Sequence, residues 1–140
     1  MTVKVVATEQ ELNDAYSIRK KVFIEEQQVP PEEEIDQNEA EATHFVLYEN
    51  DQPVGAGRFR VLAGIGKVER ICVLKGQRNT GAGKELMNFI EKYAQTNGIS
   101  NLKLNAQTHA IPFYSRLGYK TISEEFLDAG IPHKSMKKIL

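Results

Sequence analysis

Cysteine is nearly absent from this chain: Cys72 stands alone among 140 residues. That excludes an internal disulfide and any zinc site built from several thiolates, and it suits a reducing cytoplasm. No stretch approaches the roughly 18 apolar residues of a membrane span, so no membrane partner is expected. The N-terminus lacks a basic region followed by a long apolar one, so no signal peptide is expected. An overall excess of charge is missing too. Eighteen Lys plus Arg face nineteen Asp plus Glu, for a formal net charge of -1, which gives no global case for a nucleic-acid partner.

Cations are also missing locally. From Ile24 to Gly57 there is no Lys or Arg, while Glu25, Glu26, Glu32, Glu33, Glu34, Asp36, Glu39, Glu41, Glu49 and Asp51 crowd the same stretch. Such a run is either solvated surface or a rim that attracts a cationic acceptor, with Glu25 as a representative. What the chain does have is 41% hydrophobic residues, enough to bury a core without covalent help, in a length that suits one domain over residues 1–140.

Val3 to Val6 reads as a strand. Thr8-Glu9-Gln10-Glu11 is a capping-box pattern that starts a helix at Glu9. Leu12, Ala15, Tyr16, Arg19, Val22 and Phe23 recur at helical spacing, and Pro30-Pro31 stops the run, leaving an acidic loop behind it. Strands are expected over Thr43–Tyr48, Val54–Val61 and Lys67–Val73, joined by turns at residues 50–53 and 63–66 into an antiparallel meander. A helix from Thr80 or Gly81 to about Thr96 carries Leu86, Phe89, Ile90 and Tyr93 on one face and ends at Asn97-Gly98. Leu102–Ala106 is a strand and Ala110–Leu117 a short helix. Tyr119–Phe126 and Ser135–Ile139 make a final strand pair linked through residues 128–133. The fold class is α/β: a mixed sheet, antiparallel in its first half and parallel across the main crossover helix.

The segment Arg78-Asn79-Thr80-Gly81-Ala82-Gly83 follows the apolar strand Ile71-Cys72-Val73-Leu74 and opens the long helix. Strand, glycine turn and helix N-terminus together gather main-chain N–H groups that can surround a phosphate, with Lys84 beside them. A Gly-x-Gly turn alone is equally a structural turn. Walker A fails because Glu85 stands where Ser or Thr is required.

These residues resemble the GCN5-related N-acetyltransferase (GNAT) superfamily, whose Arg/Gln-x-x-Gly-x-Gly/Ala loop is met by Arg78, Gly81 and Gly83. Phe113-Tyr114-Ser115-Arg116-Leu117-Gly118-Tyr119 is similar to that family's closing signature. Arg19-Lys20-Lys21-Val22-Phe23-Ile24-Glu25-Glu26-Gln27 and Gly130-Ile131-Pro132-His133 resemble the ElaA-type subgroup. Asn79 stands where many relatives have Gly, and Asn tolerates left-handed backbone angles. The resemblance implies acetyl-CoA as cosubstrate, held by the main chain of Ile71, Cys72 and Val73 and by Arg78, Asn79, Thr80, Gly81, Ala82, Gly83 and Lys84, with no metal. It implies direct transfer in a ternary complex to a small-molecule or peptide amine. Tyr114 would serve as general acid to the thiolate, and a strand N–H near Val73 would polarise the thioester.

The proton acceptor is left open between Glu69 on the central strand, His109 and His133. Asp128 and His133 are further acceptor-side positions, and Asn105 with Gln107 either bonds the pantetheine arm or simply finishes its strand. A non-catalytic acyl-CoA-binding module on the same fold is the alternative, and monomer and homodimer are equally compatible with the sequence.

Overall fold

The computed structural model describes residues 1–140. Helix α1, Glu9–Arg19, begins where the cap requires. Thr8 Oγ1 accepts from the Glu11 N–H at 3.1 Å, and Glu11 Oε1 accepts from the Thr8 N–H at 3.2 Å. Satisfying two orphan donors fixes the start of the helix. The chain then widens into seven residues of π-helix, Lys20–Glu26. Pro31 does not only stop a helix. It occupies the first turn of a short one, α2, Pro31–Glu34, where its missing N–H costs nothing.

The strands are β1 Thr2–Val5, β2 Thr43–Glu49, β3 Gln52–Leu62, β4 Ile65–Val73, β5 Asn101–Gln107, β6 Lys120–Thr121, β7 Phe126–Asp128 and β8 Ile131–Ile139. They form one sheet in the order β1-β2-β3-β4-β5-β8-β6, with β7 also paired to β8. Only β4 and β5 run parallel, across the crossover helix α3, Ala82–Thr96. A last helix, α4, spans Ile111–Arg116. The expected single strand over Tyr119–Phe126 is instead two short strands, β6 and β7, laid end to end along β8. Asp128 and His133 lie within the paired β7–β8 hairpin, so the link between them is a tight turn at Ala129-Gly130 rather than a loop over residues 128–133.

Two layers of apolar side chains hold the sheet. On the α3 face, Leu86, Met87 and Ile90 pack against Phe45, Phe59, Val68, Leu102, Leu104 and Met136. Each such burial removes about 1.5–3 kcal/mol of apolar exposure, an upper figure because the unfolded chain is already partly collapsed. On the other face, Ala15, Ile18 and Val22 cover Val46, Ala56 and Cys72. Helix α1 reaches β2, β3 and β4. It leaves the same face of β5 and β8 open.

Candidate active site

Strands β4 and β5 pair over three positions only, Gly66 with Leu102, Lys67 with Lys103 and Val68 with Leu104. Beyond Val68 they splay, because β4 is bulged. Arg70 adopts φ 56°, and the register shifts so that Arg70 and Ile71 together oppose Gly57. A Cβ on Gly57 would come within 2.8 Å of Ile71 Cδ1, so a glycine lets the bulge settle there. The extra residue bends the strand away from its parallel neighbour.

The Leu74 N–H donates to the Val54 carbonyl on the β3 side at 2.8 Å. Strand alternation therefore turns the Val73 N–H and carbonyl toward the open side. The carbonyl is taken by Arg78 Nε at 3.2 Å, and the N–H is left for a ligand.

The splay opens a cavity of about 1090 Å³. At one end is the N-terminus of α3. Gly81 sits there at φ 87° with nothing within 4 Å of where a Cβ would be, and no side chain caps the helix. Asn79 is left-handed at φ 63°, as its residue type allows. Uncapped N–H groups in open space, with Lys84 alongside, fit the diphosphate of acetyl-CoA, and the unpaired edge of β4 fits its amide-bearing arm. Gly83 backs onto Phe113, 3.1 Å from a Cβ built there, tighter than an ordinary contact.

Of the positions expected from sequence, Glu69, Ile71, Cys72, Val73, Arg78, Asn79, Gly81, Gly83, Lys84, Asn105, Tyr114, Asp128 and His133 line this one cavity. Glu25, Thr80 and Ala82 do not. Glu25 is exposed outside it. The Thr80 hydroxyl turns back to the Gln77 carbonyl, and Ala82 is buried with Leu47 and Val54 because the first helical turn points it inward. Arg78 is not a free phosphate ligand. Its guanidinium makes a two-pronged pair with Glu26 at 2.6 and 2.7 Å, tying the loop to the π-helical segment.

Tyr114 is buried, yet its hydroxyl is neither sealed off nor bonded to any protein group. Burial pushes its pKa upward, assisted by Cys72 nearby. Cys72 itself is enclosed, and burial pushes its thiol up to about 12. Burial that disfavours the thiolate makes Cys72 a poor nucleophile.

His133 stacks on Phe126 at 6.0 Å, and its Nδ1 lies 2.6 Å from the Ile131 carbonyl. A carbonyl can only accept, so Nδ1 carries a proton, and in the neutral ring the lone pair is on Nε2. Gln107 Nε2 reaches Gln27 Oε1 at 2.8 Å, and Ser135 donates to Asn105 Oδ1 at 2.7 Å. Both β5 side chains therefore share the face opposite α3.

Glu69 is in a different condition. Burial alone would raise its pKa, but the Arg60 hydrogen bond and the charges of Arg58 and Arg60 outweigh burial and hold the carboxyl below its usual range. Arg60 takes both oxygens, at 2.8 and 3.0 Å. A carboxylate so engaged is a poor proton acceptor, which weighs against Glu69 among the three candidate bases.

Part of the acidic run is drawn inward. Arg19, fully buried, bonds Glu34 at 2.8 Å and Glu39 at 2.9 and 2.8 Å. Arg58, equally buried, bonds Asp36 at 2.8 Å and Glu39 at 3.0 Å. Arg70 reaches Asp36 at 3.3 Å. Glu34, Asp36 and Glu39 are thus engaged by arginines from α1, β3 and β4, while Glu25, Glu32, Glu33, Glu41 and Asp51 stay exposed.

The sequence matches the acetyltransferase (GNAT) domain family over residues 6–140. It is 52% identical over 139 residues to the uncharacterized N-acetyltransferase YjcF of Bacillus subtilis, covering 99% of each chain. An acyl-CoA N-acyltransferase structure from Pseudomonas aeruginosa superposes with TM-score 0.85 at 26% identity, covering 98% of this chain and 97% of that one. Escherichia coli ElaA gives the same TM-score at 22% identity over 98% of each chain, and so shares the fold without singling out a subgroup. The uncapped helix and the split between β4 and β5 thus belong to a chain of the GNAT family, an acetyl-CoA-dependent N-acetyltransferase.

Proposed function

We propose that this chain acetylates a primary amine by direct attack in a ternary complex, with Tyr114 as proton donor to the departing sulfur and His133 as the acceptor-side base. The run Gly130-Ile131-Pro132-His133 supports placing it in an ElaA-like subgroup. Bound acetyl-CoA supplies an activated acyl thioester. The chain supplies main-chain donors at Asn79, Gly81, Gly83 and Lys84 for the diphosphate, and the Val73 N–H for the carbonyl oxygen on which charge develops. The observation that carries the reading is the unpartnered Tyr114 hydroxyl in the same cavity as the uncapped α3 terminus. A phenol is protonated at neutral pH, so the hydroxyl has a proton to give, and burial favours the neutral form further. The burial of Cys72 supports direct attack by the amine over a covalent acetyl-enzyme. His133 Nε2 offers the lone pair that removes the ammonium proton.

The reading is tested by free-thiol release and product mass over a panel of amines. Tyr114→Phe is expected to lower kcat by about 10²-fold or more with coenzyme affinity unchanged, measured by titration. Turnover equal to that of the parent across pH would remove the acid assignment. Absence of thiol release with every amine, in protein that still binds acetyl-CoA, would favour the non-catalytic alternative.

A further inference from the structure

The face of the sheet opposite α3 carries a row of cations. Lys67 on β4 is the Cα partner of Lys103 on β5, Lys103 of Lys137 on β8, and Lys137 of Lys120 on β6. Directly opposed residues point to one face. Their sequence neighbours Val68, Leu102, Leu104 and Met136 are buried against α3, so the lysines project the other way, onto the part of the sheet that α1 leaves open. Like charges placed directly opposite across strands destabilise a sheet. The chain nevertheless repeats the placement three times, and none of the four lysines has a carboxylate partner, whereas Lys138 next to them pairs with Glu91 at 2.9 Å.

Lys67 and Lys103 stand at the base of the cleft, half-buried, and line the cavity with Asn105, Gln107 and His133. The charges that could neutralise them are spent. Glu69, two residues along the same face from Lys67, serves Arg58 and Arg60. Glu26 serves Arg78, and Asp36 and Glu34 serve Arg70. Of the charged groups lining the cavity, Lys67, Lys103, Lys84 and Arg116 remain unpaired against Asp128 alone, and Lys84 belongs to the coenzyme end.

We propose that Lys67 and Lys103 bind an anionic group, carboxylate or phosphate monoester, on the acceptor, so that the substrate is an amine bearing a nearby acid rather than a polyamine. Neighbouring strands hold the two lysine stems about 4.8 Å apart, a spacing at which two ammonium groups can each take one oxygen of the same anion. The acceptor's acid then sits at the base of the cleft, on the same face as His133. This assignment rests on the N-acetyltransferase reading and names its substrate class.

The test uses the intact protein with acetyl-CoA and matched acceptors: amino acids, their carboxamides, the corresponding decarboxylated amines, amino-sugar phosphates and spermidine. The acid-bearing members are expected to exceed their neutral counterparts in kcat/KM by about tenfold or more, as a charge-assisted contact requires. The two acid arms tell carboxylate from phosphate. Lys103→Glu is expected to reverse the preference.

Binding of N-acetylated acids and their amides to CoA-saturated protein, read by calorimetry, examines the lysines without turnover, so it stands even where thiol release is absent and the catalytic reading falls. Equal affinity for acid and amide, a preference for spermidine, or a Lys67→Met variant that weakens coenzyme rather than acceptor binding would overturn the proposal. The last result would give these lysines to the coenzyme phosphates.

Discussion

Arg19 and Arg78 show how differently two ion pairs count. Arg19 is fully enclosed between Glu34 and Glu39, whose side chains are 1% and 10% exposed. Replacing it with Met would leave Glu39 to Arg58 alone and the enclosed Glu34 only the longer contact to Arg70, and is expected to cost about 3 kcal/mol in urea unfolding. Arg78 and Glu26 are each 37% exposed. Water and salt screen them, so Arg78→Met should change stability by no more than about 1 kcal/mol despite shorter contacts. If the two variants unfold at the same urea concentration, the buried network is not what orders the acidic segment. Arg19 sits at a helical core position next to Ile18, and its charge was visible in sequence. Its burial was not, because its partners lie fifteen and twenty residues ahead.

At the scale of elements, the cap of α1, the meander and the crossover helix were legible because each is specified by neighbouring residues: Thr8 with Glu11, turn residues between strands, an apolar stripe closed by Asn97-Gly98. The bulge in β4 and the π-helical turn after Arg19 were not legible, since each is fixed by a distant part of the chain. The bulge sets Ile71 against Gly57, and the π turn carries Glu26 toward Arg78 and Gln27 toward Gln107. The glycine loop could be read as a phosphate cradle, but the row of lysines could not, because register between β4, β5 and β8 is not written in any one of them. Gly66 supplies a test at this scale. A Cβ there would lie 2.7 Å from Leu102 Cδ2 and from the Phe59 ring, at the first paired rung of β4 and β5. Gly66→Ala should therefore cost about 1–3 kcal/mol by overpacking, read as a lowered Tm. An unchanged Tm would mean the rung has slack.

For the whole molecule, the clustered acids set the response to pH. Burial opposes ionisation of Glu39, but its bonds to Arg19 win and hold the carboxyl at about 2. Asp36 and Glu69 are shifted the same way. A carboxyl whose folded pKa is depressed stabilises the fold above its ordinary value, and loses that contribution as pH falls toward the folded value. Thermal stability should hold between pH 7 and about 5, then decline steadily toward about pH 2. A Tm that stays level through pH 3 would show that these arginines bind the acids no better than water does.

The place of β8 has one more consequence. Residues 131–139 fill the slot between β5 and the short pair β6–β7, yet they emerge from the ribosome after every other strand. Until they arrive, β5 presents a bare hydrogen-bonding edge flanked by Leu102, Leu104 and Ala106, the kind of edge that recruits foreign strands. The nascent chain is thus most exposed to aggregation just before β8 is added, and the same insertion that ends this exposure brings His133 to the wall of the cavity.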